Sequence, residues 1–279
     1  MSDQLAQDAV RTTRADVLLA SAGERGILCD YYSETAAEIY RDIMDDEGED
    51  PAASSEAEVF ASHIPAGSAP VLELAAGAGR LTFPLLDLGL EVTALELSAK
   101  MVATLRTRLA EAPAEVQARC TAVVGDMADF AFDEQFRAVI ISPGTIAVLD
   151  DAGRAGLYAS VRKHLAPGGQ FLVGVGQQNP SKAEPLERFQ DLTGESGRKY
   201  MLHHERWFPG DEEVHDITIY PADEAADPFL ICTHRMRIPN MDRIVRECEA
   251  AGFDVTVQPF AGKLPEDVLL LKASLRGDS

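Results

Sequence analysis

From Val71 onward the chain alternates short apolar runs with longer amphipathic segments, a pattern that few architectures accept. The apolar runs are VLEL at 71–74, EVTALEL at 91–97, TAVVGD at 121–126, RAVIISPG at 137–144 and QFLVGVG at 170–176. Between them lie RLTFPLLDLG at 80–89, SAKMVATLRTRLAEA at 98–112 and a helical stretch near Ala152 to Leu165. A helical crossover returns the chain to the same end of a sheet, so strand, helix, strand in repetition predicts an α/β fold. The expected core is a mostly parallel sheet with helices on both faces.

Local signals agree. Ser98 is placed to cap a helix whose apolar face is Met101, Val102, Leu105 and Leu109. Pro84 falls in the first turns of its helix, where a missing N–H costs little, and Gly89 ends that helix. Residues 1–70 carry helical patterning, with Tyr32, Ala36, Ala37 and Tyr40 at helical spacing, and are expected to form an N-terminal helical cap. The acidic stretch Asp45 to Glu58 interrupts them, as a loop leading into another short helix before His63. Residues 71–176 form the expected core. The segment 177–239 breaks the alternation, because KYMLHHERWF, EVHDITIYPA and FLICTHRMRI are β-rich and separated by Pro, Gly and Asp, which predicts an inserted antiparallel β lid. Residues 240–279 complete the core with a helix capped by Asn240 and stopped by Gly252, then the strands FDVTVQPF and DVLLLKASL.

Charge narrows the partners. With 46 acidic against 25 basic residues the net charge is -21, which repels a phosphate backbone and excludes nucleic acid as a first expectation. The same field favours cationic substrates such as amines, although solubility alone also accounts for it. Cys29, Cys120, Cys232 and Cys248 have no CxxC spacing and are expected to be free thiols in a reducing cytosol. No run approaches the roughly 20 apolar residues of a membrane span, and MSDQLAQDAVRTTR has no signal-peptide core, so a cytoplasmic protein without membrane contact is expected.

The turn after VLEL carries Gly77 and Gly79, which let backbone approach a ligand closely. In the dinucleotide fingerprint a third glycine follows three residues later; here that position is Thr82. Other acidic residues fall where an adenosine ligand needs them. Glu96 ends the second strand, where a carboxylate can accept both ribose hydroxyls, and Asp126 can accept from an adenine amine while Met127 covers the ring. Glu73 puts a charge inside an apolar strand, a cost that a nearby cationic ligand would explain.

These residues resemble the class I S-adenosylmethionine-dependent methyltransferases. The match runs through Glu73-x-Ala75-x-Gly77-x-Gly79, Glu96 and Gly125-Asp126-Met127, then SPGT at 142–145 and LAPGG at 165–169, and covers about Val71 to Gly176. The resemblance implies a Rossmann-like, seven-stranded, mostly parallel sheet that binds S-adenosyl-L-methionine through Glu73, Ala75, Gly77, Gly79, Glu96, Leu97, Asp126, Met127 and Ser142. The segment DYYSETAAEIY, 30–40, is similar to the N-terminal region of small-molecule N-methyltransferases whose aromatic residues close over the methionine end, which implies cofactor roles for Tyr32 and Tyr40; simple packing fits their spacing as well. The inserted strands resemble the lid sheet of amino-sugar N,N-dimethyltransferases and glycine-type N-methyltransferases, and more narrowly the chain resembles methyltransferases encoded with ribosomally made daptide-type peptides. A homodimer through the lid sheet is one assembly this likeness allows.

The resemblance implies direct displacement at the methyl carbon with no protein nucleophile. Ser142-Pro143-Gly144-Thr145 offers no amide side chain to hold a planar nucleobase or amide nitrogen, so its expected role is backbone contact near the transferring methyl. His203, His204 and His215, beside Glu205, Trp207 and Asp216, are the candidate substrate-facing bases. Neighbouring side chains on a strand point to opposite faces, so His203 and His204 cannot share one site, and no metal is expected. The expected activity is N-methylation of an amine on a small molecule or a peptide N-terminus in natural-product biosynthesis. O-methylation of a hydroxylated metabolite, an NAD-dependent oxidoreductase and an inactive cofactor-binding partner are the alternatives.

Overall fold

The structure is a computed structural model that describes residues 12–31, 33, 35, 36, 39, 42, 43, 51–67, 69–176, 185–208, 213–261 and 268–277. In chain order its elements are α1 (Arg14–Ala22), β1 (Gly26–Asp30), α2 (Pro51–His63), β2 (Val71–Leu74), α3 (Thr82–Asp87), β3 (Val92–Glu96), α4 (Ala99–Glu111), α5 (Ala114–Gln117), β4 (Cys120–Val124) and β5 (Phe136–Ile141). There follow α6 (Asp151–His164), β6 (Leu165–Gly176), β7 (Leu186–Thr193), β8 (Lys199–Trp207), β9 (Glu213–Pro221), β10 (Phe229–Ile238), α7 (Met241–Ala250), β11 (Phe253–Pro259) and β12 (Val268–Leu275). Contacts divide the chain into two units, one of Met1–Gly48 with Pro180–Ile238 and the other of Glu49–Asn179 with Pro239–Ser279. The division falls after Gly48 and not at residue 70, because Ala57 and Phe60 of α2 are buried in the core of the second unit.

That second unit is the α/β body. Its seven-stranded sheet has the order β11-β12-β6-β5-β2-β3-β4. β6, β5, β2, β3 and β4 pair in parallel, while β12 lies antiparallel to both β6 and β11. Every residue of β2 is buried, as expected of a central parallel strand covered on both faces. Its side chains alternate between two cores. Leu72 and Leu74 join Val139, Phe171, Leu157, Val161 and Ile244 on the face covered by α6 and α7. Val71 joins Ile140, Leu172, Phe60, Leu85, Val102 and Leu105 on the face covered by α2, α3 and α4.

The expected caps are present. The Ser98 side chain accepts from Met101 N–H, Asn240 accepts from Arg243 N–H, and Gly89 and Gly252 take left-handed φ values of 82° and 92°. One ion cluster pins α6 to α7. Arg154, only 2% exposed, donates from Nε and Nη2 to the two oxygens of Glu247 at 2.8 and 3.0 Å. Tyr158 donates to the same carboxylate, and Asp151 takes Arg154 and Arg243 at 2.7 and 2.6 Å. These partners satisfy a guanidinium whose burial would otherwise be costly.

The first unit is a five-stranded sheet of order β1-β10-β9-β8-β7. β7 to β10 pair antiparallel as an inserted meander, and β1 adds a parallel edge beside β10. Two elements differ from the expectation. Gly26–Asp30 is a strand inside the segment read as helical, and Leu186–Thr193 is a fourth strand of the inserted segment. β1 becomes a strand through a partner some 200 residues away, as in the pairing of Cys29 with Cys232, and β7 is exposed along nearly its whole length, so it lacks an apolar pattern. α1, opened by a Thr13–Asp16 capping box, packs Ala15 and Leu18 with Tyr220, Phe229 and Ile231. Tyr31, Ala36 and Ile39 pack with Tyr200, Ile219 and Cys232. Tyr32 and Tyr40 lie outside the described residues. Among the described residues, no helix is long and apolar enough to cross a membrane.

Glu247→Ala leaves the buried Arg154 with the exposed Asp151 as its one carboxylate partner, beside the Leu149 carbonyl. It is expected to lower unfolding free energy by about 3 kcal/mol in denaturant titrations, and a loss within error of zero would refute the role assigned to this pair.

Candidate active site

In the α/β body the chain runs β2, β3, β4 outward to one edge and then returns to β5 on the other side of β2. The direction of winding reverses there, and open parallel sheets bind ligands at such points, beyond the carboxyl ends of the strands. Ala75, Gly77, Glu96, Asp126 and Ser142 all follow or end these strands.

The turn after β2 is held in an unusual backbone. Ala75 has φ 57°, the one non-glycine among the described residues with positive φ, followed by Gly77 at 58° and Gly79 at 99°. Left-handed backbone costs an alanine of the order of 1 kcal/mol, strain of the kind that gathers where a loop must present its backbone. The two glycines serve different ends. A Cβ on Gly79 would lie 2.6 Å from Leu105 Cδ1, so close packing requires its absence. A Cβ on Gly77 would meet nothing nearer than Met101 Sδ at 4.0 Å, so that glycine faces open space. Arg108 steadies the turn, donating to Ala78 O at 2.8 Å while its guanidinium lies 4.5 Å from the Phe83 ring centre.

Glu96 ties this turn to the end of β3. Its Oε2 accepts from Gly77 N–H at 2.9 Å and its Oε1 from Ser98 N–H at 2.8 Å. A carboxylate has about four lone-pair sites, so both oxygens keep capacity for two further donors such as vicinal hydroxyls. The next residue, Leu97, is 67% exposed, a large apolar side chain free to cover a flat ring. Asp126 is exposed with Oδ1 accepting from Ala128 N–H at 2.8 Å. The Met127 side chain is 8% exposed and packs in the core with Leu95 and Phe130. At Ser142 the chain makes a tight turn, with Pro143 and a left-handed Gly144 inside it and Thr145 N–H donating to Ser142 O at 3.2 Å. A Cβ on Gly174 would meet Pro143 Cγ at 2.5 Å, so the glycine of β6 gives this turn its room.

Glu73 is 3% exposed and accepts from the Thr82 hydroxyl at 2.6 Å. Burial pushes its carboxyl up to about 8, against the pull of the Thr82 hydrogen bond, so the group is neutral near pH 7. The cost of a charge in this strand is thus avoided by protonation and by Thr82, the residue that stands in place of the third glycine. Glu56 of α2 lies under the same turn, its carboxylate paired with Arg80 at 2.7 Å. The sequence reading missed Glu56, Arg80 and Arg108. Glu56 sits in an acidic stretch and the arginines have no motif spacing, so only the fold brings them together.

In the five-stranded sheet the three candidate histidines separate onto opposite faces. His204 Nε2 meets His215 Nδ1 at 3.1 Å, and His215 Nε2 meets Glu213 Oε1 at 2.6 Å. Burial, followed by the neighbouring His215, lowers the pKa of His204, which favours a neutral ring that can accept a proton. His203 instead meets Glu187 Oε1 at 3.1 Å and packs on Phe189, with ring centres 4.6 Å apart. All three therefore cannot serve one site. Among the described residues, no group of His, Cys, Asp or Glu is arranged to hold a metal ion.

The exits of β2 and β3 therefore fit an adenosine-bearing cofactor: an open backbone cradle at Gly77, a fixed carboxylate at Glu96 and an exposed apolar residue beside it. Comparison with known proteins agrees. A family described as a methyltransferase domain matches residues 71–169. The chain is similar to the glycopeptide N-methyltransferase MtfA solved with S-adenosyl-L-methionine, with 50% identity over 96% of this chain and 99% of that one and a TM-score of 0.64. It shares its fold with the CcbJ methyltransferase of Streptomyces caelestis, at 20% identity, 89% and 99% coverage and TM-score 0.70. The sugar N-methyltransferase KedS8 of Streptoalloteichus sp. is alike in fold, at 20% identity, 91% and 98% coverage and TM-score 0.66. No curated protein sequence matches the chain.

The buried Glu73 yields a prediction with a definite sign. Its folded pKa, about 8, lies above the ordinary 4.5, so between these values unfolding releases a proton and stability falls as pH rises. Glu73→Gln removes that dependence. The stability of the variant relative to the native protein should rise by about 1.4 kcal/mol per pH unit from pH 5 to 8; parallel curves would mean that Glu73 is ionised in the fold.

Proposed function

The chain belongs to the S-adenosylmethionine-dependent methyltransferases, and from that premise we propose that it methylates an amine nitrogen of a peptide-type natural product. The observation that carries this reading is the 50% identity to a glycopeptide N-methyltransferase over 96% of the chain. The net charge of -21 supports it, since amines arrive as cations and a negative field concentrates them.

When bound, S-adenosylmethionine supplies a methyl already activated on a sulfonium, so no side chain need act as nucleophile. The protein's task is then to bind, align and exclude water, and alignment alone can be worth roughly 7–11 kcal/mol. In this reading the open backbone at Ala75, Gly77 and Gly79 receives the amino-acid end of the cofactor. Glu96 accepts from the ribose hydroxyls, Asp126 accepts from the adenine amine and Leu97 covers the base. The Ser142 turn borders the methyl. Tyr32 and Tyr40 are assigned to closure over the methionine end on family likeness.

An ammonium has no lone pair, so the acceptor must lose a proton before attack. We assign that step to His204, whose ring is favoured in its neutral form and leads through His215 to Glu213. A proton accepted at His204 Nδ1 lets the Nε2 proton pass to His215 Nδ1 and the His215 Nε2 proton pass to the Glu213 carboxylate, which stabilises the charge. His203, on the opposite face, has no part in it.

Purified protein given S-adenosylmethionine and a glycopeptide bearing a free N-terminal amine should yield products heavier by one or two methyls, located on nitrogen by fragmentation mass spectrometry; methylation confined to hydroxyls would replace this reading with the O-methyltransferase one. Glu96→Ala should weaken cofactor binding by about 1.5–3 kcal/mol, and unchanged calorimetric affinity would remove Glu96 from the ribose site. His204→Ala should lower kcat about 100-fold with cofactor affinity retained and with the loss reduced at high pH, whereas a His203→Ala variant with the same profile would overturn the assignment.

A further inference from the structure

Two of the four cysteines, 203 positions apart in sequence, meet across a strand pair. Cys29 of β1 and Cys232 of β10 are register partners in the one parallel pairing of the five-stranded sheet. Their Sγ atoms lie 3.1 Å apart, both sulfurs being free thiols. Neighbouring strands stand about 4.8 Å apart, within the Cα separation of about 4.4–6.8 Å that a disulfide spans. Bond formation needs the sulfurs to close by about 1 Å, to the S–S length of about 2.05 Å, which a small change of side-chain torsion supplies.

The two thiols are unequal. Cys29 is half-buried on an edge strand, while Cys232 is wholly buried beneath it. The hydrogen bond shared between them holds Cys29 down to about 7, against burial and the charge of Asp30, and pushes Cys232 up. The half-buried Cys29 is therefore the better nucleophile and the buried Cys232 a resolving thiol. Cys120 and Cys248 have no such partner: burial pushes both up to about 12.

We infer that Cys29 and Cys232 form a reversible redox pair, which hydrogen peroxide converts into a disulfide joining the N-terminal edge strand to the inserted sheet. The Cys29 thiolate attacks a peroxide oxygen, the O–O bond breaks and hydroxide leaves, making Cys29 a sulfenic acid. The Cys232 sulfur then attacks Cys29 sulfur, the S–OH bond breaks, and the departing hydroxide takes the Cys232 proton as water. Two thiols lose two electrons and two protons in sum, and the peroxide becomes two waters. Among the described residues β1 pairs with β10 alone, so the bridge makes covalent the edge pairing that follows α1.

The test is intact-mass and peptide mapping of the full chain, reduced, desalted and treated with one equivalent of hydrogen peroxide. The expected result is a loss of 2 mass units, one cross-linked peptide pair containing Cys29 and Cys232, and recovery of both thiols with dithiothreitol. In Cys232→Ser, dimedone should trap a sulfenic acid at Cys29 at least tenfold faster than at Cys120. The inference is overturned if Cys29 and Cys232 of the native chain stay open to alkylation after peroxide, if the cross-link joins Cys120 or Cys248, or if Cys29 of the variant gains no dimedone.

Discussion

The carboxylate of Glu96 is the hinge on which the cofactor end of the α/β body turns. One oxygen takes the N–H of Gly77, the other that of Ser98, so a single side chain joins the loop leaving β2 to the start of α4. Both loops are thereby set before any ligand arrives, and charge-assisted hydrogen bonds of this kind are stronger than neutral ones. The remaining lone pairs point the chemistry toward hydroxyl donors, so the group that orders the loop is also the group assigned to read the ribose.

Beneath that surface the structure handles its polar burdens in two ways. Arg154 stays charged because Glu247 and Asp151 reach it, and the result is a fixed joint between α6 and α7. Glu73 is wholly buried among apolar strands, with Thr82 as its hydrogen-bond partner, and it stays neutral. Two glutamates, Glu247 on α7 and Glu73 in β2, therefore carry different charge, the first in hydrogen-bond contact with a guanidinium and the second with a hydroxyl. The difference lies in whether a cation is within reach when water is removed.

Much of this was legible from local chemistry. The parallel sheet, the two closing strands, the caps at Ser98 and Asn240 and the turn glycines all rest on patterns within a few residues, and the structure has them. β1 and β7 were not legible, since one is five residues beside a distant partner and the other is exposed along nearly its whole length. The side chain of Met127 shows the same dependence. The GDM pattern locates the loop, yet which side chain turns inward depends on the core behind it.

The chain by itself determined the fold class, the cradle with its acidic partner and the family, because each depends on residue types at short spacing. Tertiary structure decided which groups act together. It set Thr82 on Glu73 and Arg80 on Glu56, divided His203 from His204 and His215, and brought Cys29 to Cys232. Partnership across long sequence separations follows from strand register and burial, and neither quantity is carried by any short stretch of sequence.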